Sequence, residues 1–151
     1  MTSLRLAPLA PETLRADQRQ LYDAILGGKR STGHVGVALT LPNGALVGPF
    51  NPMLLSPQLG TAVQRVGEEV RFASLLSPEI KEILILLVAE KTASSFERYA
   101  HEAIARIQGM NELRIEQLRS GQKPTAMSAQ EDAAWSIGHD LLAQNKVSDD
   151  S

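Results

Sequence analysis

Residues 77–91 read SPEIKEILILLVAEK, and this stretch decides the fold. Its centre, residues 83–89, is apolar on every side of a helix, which is typical of a segment buried in the middle of a domain. A run of this length is also compatible with a buried strand. The start Ser77-Pro78-Glu79 favours a helix, because a serine cap precedes a proline at the first helical position. The stretch therefore predicts a central helix that is buried all round.

Helix signals continue on both sides of this stretch. Ser56-Pro57 predicts a helix that runs to about Phe72, and Gly109 is placed to end a helix over about residues 94–108. Ser128 and Glu131 have the spacing of a capping box that opens the last helix. The sequence thus predicts an all-α helical bundle, a single domain over residues 17–146. An extended segment, residues 1–16, precedes it, and a flexible tail, residues 147–151, follows it.

Residues 29–50 break the helical pattern with four scattered glycines and Pro42. Residues 35–41 are predicted to pair with residues 45–47 around the turn Pro42-Asn43-Gly44, as a small hairpin. Long irregular segments in compact domains are often functional. We therefore consider that this segment covers a cavity, with His34 either exposed or directed into it.

Composition excludes several classes of function. The 151 residues carry a formal net charge of −2, which gives no basic field to attract nucleic acid. Cysteine is absent, so thiolate chemistry and thiolate metal sites are excluded, and three histidines argue against a His-rich metal site. The first ten residues do not resemble a signal peptide, and residues 83–89 are too short to span a bilayer. We expect a cytoplasmic protein without metal, cofactor, nucleic-acid or membrane partners.

His101 is the histidine in the most promising surroundings. Glu97 precedes it by four residues and Ser94 by seven, so the three share one helical stripe. A carboxylate beside an imidazole orients it and keeps a general acid or base near neutral pH. The same spacing is also common as an exposed pair without function. His139 lies in a polar stretch and is interpreted as a solvated residue.

Two further carboxylates, Glu82 and Glu90, bracket the apolar run. Such groups are usually paired or at the surface. Arg71, near the end of the preceding helix, is a candidate partner for one of them, or alternatively a ligand for an anionic substrate group.

The register of these residues resembles the carboxymuconolactone decarboxylase and alkylhydroperoxidase-like superfamily. Glu82 and His101 match the glutamate and histidine of the peroxidase branch, whereas Ser94 and Glu97 occupy its two cysteine positions. Thiol peroxidase activity is therefore not carried over. The decarboxylase branch has a Glu-x-x-x-His arrangement, which Glu97 and His101 match. Further similarities to cysteine-free members are Gly48-Pro49-Phe50, Leu55-Ser56-Pro57, Arg71-Phe72, residues 96–101 and residues 119–124.

The resemblance implies an oligomeric helical protein, assembled as a dimer, trimer or hexamer with pockets at its interfaces. It implies a cofactor-independent lyase (decarboxylase) or isomerase that acts on a small carbonyl or carboxylate compound. His101 would be the general acid and base, Glu97 would tune it or act as the base, and Glu82 would be a second carboxylate. Candidate substrate contacts are Arg71, Tyr99, Ser94 and Asn51. Two alternatives stay open: a non-catalytic oligomeric module that binds a ligand or protein, and a hydrolase or hydratase that uses the same residues.

Overall fold

The computed structural model of the chain describes residues 6–30 and 37–147. Within these ranges the regular elements are helices and there is no β-strand, which confirms the all-α prediction. The chain divides after Ser74 into two compact units. The single domain over residues 17–146 stays a prediction from the sequence. None of the helices described here combines the length and the hydropathy that a membrane crossing needs.

In the described part of the first unit, the helices with defined bounds are α1 (Ala16–Gly27), α2 (Phe50–Met53) and α3 (Pro57–Phe72). Before α1, residues Pro11–Thr13 form one turn of 3₁₀ helix inside the segment that the sequence predicts as extended. The helices enclose an apolar core in which the buried side chains are Leu21, Tyr22, Ile25, Leu46, Phe50 and Leu54.

The turn of the predicted hairpin is present, but the strands are not. Thr40 and Leu46 form an isolated antiparallel bridge, and the Leu41 amide donates to the Ala45 carbonyl oxygen at 2.8 Å. Gly44 closes the turn at a φ of +80°, a conformation that favours glycine. Residues 35 and 36, at the start of the predicted hairpin, and the candidate residue His34 lie outside the described residues.

Helix α3 buries Gly60 and Gln64 and exposes its large apolar side chains. A Cβ atom at Gly60 would lie 2.5 Å from the Met53 carbonyl oxygen, so only glycine allows this approach. Four apolar residues lie on the solvent-facing side of the helix and are 46–64% exposed: Leu59, Val63, Val66 and Val70. This apolar stripe of α3 is unusual for a surface helix, which normally turns such a stripe inward.

The second unit contains α4 (Pro78–Lys91), α5 (Ser95–Ile107), α6 (Glu112–Arg119) and α7 (Ala129–Gln144). Helix α4 is central, because α5, α6 and α7 all contact it. Its Ile83 and Leu86 join a core with Ala105, Met110, Ile115 and Leu118. Burial all round is nevertheless wrong for Val88, which is 46% exposed, because the three neighbouring helices leave one side of α4 uncovered.

The predicted helix ends agree closely with the structure. The Ser77 hydroxyl accepts from the Ile80 amide at 3.2 Å, and Ser128 with Glu131 forms the predicted capping box. Gly109 ends α5 at a φ of +93°. Ser56 precedes α3 as predicted, but its side chain makes no capping hydrogen bond, so the proline at the first helical position sets that start.

An ion-pair network joins α5 to α6. Arg119 donates from Nε and Nη2 to the two carboxylate oxygens of Glu102, at 2.9 and 2.5 Å. These hydrogen bonds from the guanidinium hold the pKa of Glu102 below its ordinary value of 4.5. A carboxyl group with a lowered folded-state pKa stabilises the fold above its unfolded-state pKa. That contribution is lost as the pH falls from about 4.5 through the lowered pKa.

Replacing Glu102 with glutamine is therefore expected to lower the free energy of unfolding by about 1 kcal/mol at pH 7, since Arg119 is partly solvated. Below the lowered pKa, where the wild-type carboxyl is also protonated, the difference should vanish. Urea unfolding at neutral and acid pH measures both. Glu116→Gln, at a more exposed partner of the same arginine, is the control and should change stability little at either pH. An equal loss for Glu102→Gln at both pH values would contradict the electrostatic explanation.

Candidate functional site

Helix α4 carries Glu82 into the core of the second unit. Glu82 lies on the inward side next to Ile83, and its side chain is only 1% exposed. A buried carboxylate is costly unless a hydrogen-bonding or charged partner compensates for its desolvation. The position of Glu82 therefore requires a polar partner inside the unit.

A tight connection places α5 against α4. The Ala93 amide donates to the Glu90 carbonyl oxygen and the Ser94 amide to the Ala89 carbonyl oxygen, at 3.1 and 2.9 Å. This pair of bonds is the pattern of a Schellman motif, with Ala93 in the left-handed conformation at a φ of +52°. The chain therefore reverses within a few residues and starts α5 beside the end of α4.

The imidazole of His101 lies between two carboxylates. Its Nδ1 is hydrogen-bonded to Glu82 Oε2 at 2.7 Å, and its Nε2 lies 3.3 Å from Glu97 Oε2. The exposed fractions of the side chains rise along this row, from 1% for Glu82 through 13% for His101 to 37% for Glu97. The row therefore leads from the core toward the surface.

This arrangement of His101 and its two carboxylates can take up and release one proton. A neutral imidazole has one N–H and can donate to only one of the two carboxylates. With Nδ1–H directed to Glu82, Nε2 presents its lone pair to Glu97, and a second proton between Nε2 and Glu97 makes both contacts favourable. The three groups can therefore accept and release a proton without losing their geometry, as general acid–base catalysis requires.

Glu97 opens onto an apolar groove of about 360 Å³ on the surface of the second unit. The walls include Leu84, Ile85 and Val88 from α4, and Ser94 lines it near the start of α5. Glu97 thus contacts both the groove and His101, whereas His101 lies behind it. The sequence alone leaves open whether His101 or Glu97 meets a substrate, and this placement favours Glu97.

The other candidate substrate contacts are more scattered. Ser94 lines the groove and its hydroxyl does not cap α5. Tyr99 lies on α5 but is 65% exposed and is not among the groove residues. Arg71 and Asn51 belong to the first unit. The buried amide of Asn51 accepts from the Leu9 amide at 2.8 Å and donates to the Ala7 carbonyl oxygen at 3.3 Å, so it anchors the segment before α1.

The other carboxylates and histidines considered from the sequence contact neighbouring side chains in the structure. Glu90, for which Arg71 was considered, is paired with Arg98 at 2.7 Å, and Glu82 is paired with His101. His139 stacks on Trp135 with a ring-centroid distance of 4.7 Å. In the described part of the chain, no group of three His, Asp or Glu side chains is arranged to hold a metal ion. At His101 each ring nitrogen faces a different carboxylate.

The walls of the groove were missed by sequence reasoning. Leu84, Ile85 and Val88 were interpreted as core because they belong to the apolar run. The length of that run was a sequence signal for these walls. A helix with three neighbouring helices buries one side more completely than the other. When every side is apolar, some apolar side chains therefore stay uncovered. These uncovered side chains line the groove.

Comparison with known proteins did not identify a relative of this chain. No protein-family model, no curated protein and no solved structure matched the chain. The resemblance to the carboxymuconolactone decarboxylase and alkylhydroperoxidase-like superfamily therefore stays a prediction from the sequence, and the function is inferred from the geometry of the site.

Proposed function

We propose that the chain is a cofactor-independent enzyme, of the lyase or isomerase type, that moves a proton next to the carbonyl group of a small molecule. The observation that carries this proposal is the row Glu82, His101 and Glu97 beside an apolar groove. A lone exposed Glu-His pair would not need a buried second carboxylate at 2.7 Å. The resemblance to the decarboxylase branch is consistent with the same chemistry.

In this mechanism Glu97 contacts the substrate. Its carboxylate takes a proton from a carbon next to the carbonyl group and shares it with Nε2 of His101. The resulting imidazolium is stabilised between two carboxylates, and Glu82 positions the ring through Nδ1. The proton returns through Glu97 to the substrate, at the same carbon or at another carbon of the enolate.

The test follows the proton directly. A panel of small ketones in deuterium oxide should gain deuterium next to the carbonyl group faster with the wild-type protein than in buffer alone, as measured by NMR. The rate should pass through a maximum with pH, because one group must be basic and another acidic. Absence of acceleration for every member of the panel, including small keto acids, would overturn the proposed function.

We also propose that copies of the chain associate through the apolar stripe of α3. Leu59, Val63, Val66 and Val70 are spaced by four, three and four residues, as in the seam of packed helices. Exposed apolar stripes of this kind mark interaction sites. A self-complementary stripe lets two copies bury the same surface around a two-fold axis.

Replacing Val66 with glutamate is expected to shift the wild-type oligomer toward monomer, because it places a charge in the seam. Thr61→Glu, on another side of α3, is the control and should leave the mass unchanged. Light scattering coupled to gel filtration gives the mass of each. A monomeric wild-type chain, or an unchanged mass for Val66→Glu, would contradict this association.

A further inference from the structure

The groove beside Glu97 is mainly apolar. Its walls are apolar over most of their area and come mainly from α4 side chains that the central helix leaves uncovered. Its volume of about 360 Å³ is at the small end of the range for ligand sites. The groove therefore fits a compact molecule with an aliphatic or alicyclic body.

The polar groups of the groove are few and not equivalent. Thr92 is committed to α4, because its hydroxyl donates to the Val88 carbonyl oxygen at 2.8 Å. The Ser94 hydroxyl does not cap α5, so it is able to donate to a ligand oxygen. Glu97 is the one charged side chain among the described residues that line the groove, and it is acidic.

A carboxylate ligand would be disfavoured in these surroundings. It would lie near Glu97, whose carboxylate is already beside His101, and no described lysine or arginine lines the groove to attract a second negative charge. Like charges close together in a partly desolvated site repel strongly. An uncharged carbonyl oxygen, in contrast, needs only a hydrogen-bond donor such as Ser94, and it leaves Glu97 ionised for proton transfer.

We propose that the groove of the second unit selects an uncharged carbonyl compound with an apolar body and rejects the corresponding carboxylate. This inference rests on the proposed function and narrows its substrate class. Decarboxylation of a free acid would place a carboxylate next to Glu97. Selection of a neutral compound therefore favours a proton shift between the carbon atoms beside a carbonyl group.

The test uses two ligands of nearly equal shape: cyclohexyl methyl ketone and cyclohexanecarboxylate, in which an anionic oxygen replaces the methyl group. The full wild-type chain is titrated with each, and Kd is obtained from NMR shifts. The ketone should bind at least about tenfold more tightly, as expected for a like charge held close to Glu97. Equal or tighter binding of the carboxylate would overturn the inference, since it would require a cation outside the described lining.

Three variants locate the effect. Glu97→Gln removes the repelling charge, so it should improve carboxylate binding by about fivefold or more and change ketone binding by less than about twofold. Val88→Asp places a charge in the groove wall and should abolish ketone binding. Leu113→Asp, at another exposed apolar position, on α6 outside the groove, is its control and should bind the ketone as wild type does. Unchanged ketone binding by Val88→Asp would place the ligand elsewhere and overturn the inference.

These measurements separate the inference from the proposed function. Ligand binding does not depend on catalysis, so a wild-type protein that binds selectively but accelerates no proton exchange would refute proton transfer and keep the inference. A protein that exchanges protons only on small keto acids, and that binds the carboxylate as well as the ketone, would keep the proposed function and refute the inference.

Discussion

Replacing His101 with glutamine is expected to lower the rate of deuterium uptake by the ketone by about 10²–10⁴-fold, the range for a lost general acid–base group. Glutamine approximates the size of the ring and retains a hydrogen-bonding group toward Glu82, but it cannot carry the proton. The helical circular dichroism should therefore stay unchanged. The loss should appear in kcat, because His101 lies behind Glu97 rather than among the groove residues.

His139→Gln is the matched control for this variant. His139 is also a helical histidine of the second unit, but its ring stacks on Trp135 and a carboxylate of neighbouring Asp140 lies 3.7 Å from it. Its replacement should leave the exchange rate within about twofold of wild type. Full activity in His101→Gln, with its fold intact, would contradict the role of His101 as a general acid and base.

The two carboxylates should differ in their effects on the same reaction. Glu97→Gln removes the group that meets the substrate and should cost as much as the loss of His101. Glu82→Gln keeps an oxygen that accepts from Nδ1–H but removes the negative charge that stabilises the imidazolium. We therefore expect Glu82→Gln to shift the pH profile of kcat as well as to lower its maximum. A loss of activity without any change in the profile would point to a merely structural role.

The sequence predicts these elements unequally, for physical reasons. Helix starts at Ser77 and Ser128 and the stop at Gly109 are local, because a cap or a left-handed glycine acts within a few residues. Glu97 and His101 are likewise related by one turn of a single helix. The contact of Glu82 with His101 joins two helices, so periodicity alone does not predict it. The resemblance to the superfamily placed these two residues in one register, and the structure brings them within 2.7 Å.

The features that sequence reasoning missed depend on which side of a helix is covered. The apolar run of α4 indicates burial but not the side on which Val88 is left to line a groove. Likewise, an apolar stripe on α3 predicts packing, whereas the structure packs that helix through Gly60 instead. The division after Ser74 also has no signal in composition. Each of these outcomes depends on contacts between elements distant in sequence.

Replacing His101 with leucine should destabilise the protein by about 3 kcal/mol at pH 7, the scale for removing one partner of a buried ion pair. Leucine fills similar space but offers Glu82 no hydrogen bond, so a carboxylate that is 1% exposed loses its imidazole. His101→Gln, which keeps a polar partner, should cost less. Urea unfolding of the full chain measures the difference.

The double variant Glu82→Leu, His101→Leu shows whether the buried charge of Glu82 causes this loss. Replacing both partners with apolar side chains of similar volume is often neutral or stabilising, so the double variant should recover most of the 3 kcal/mol or so lost by His101→Leu. A defect that is additive in the double variant would show that packing, rather than the charge of Glu82, requires a histidine at position 101.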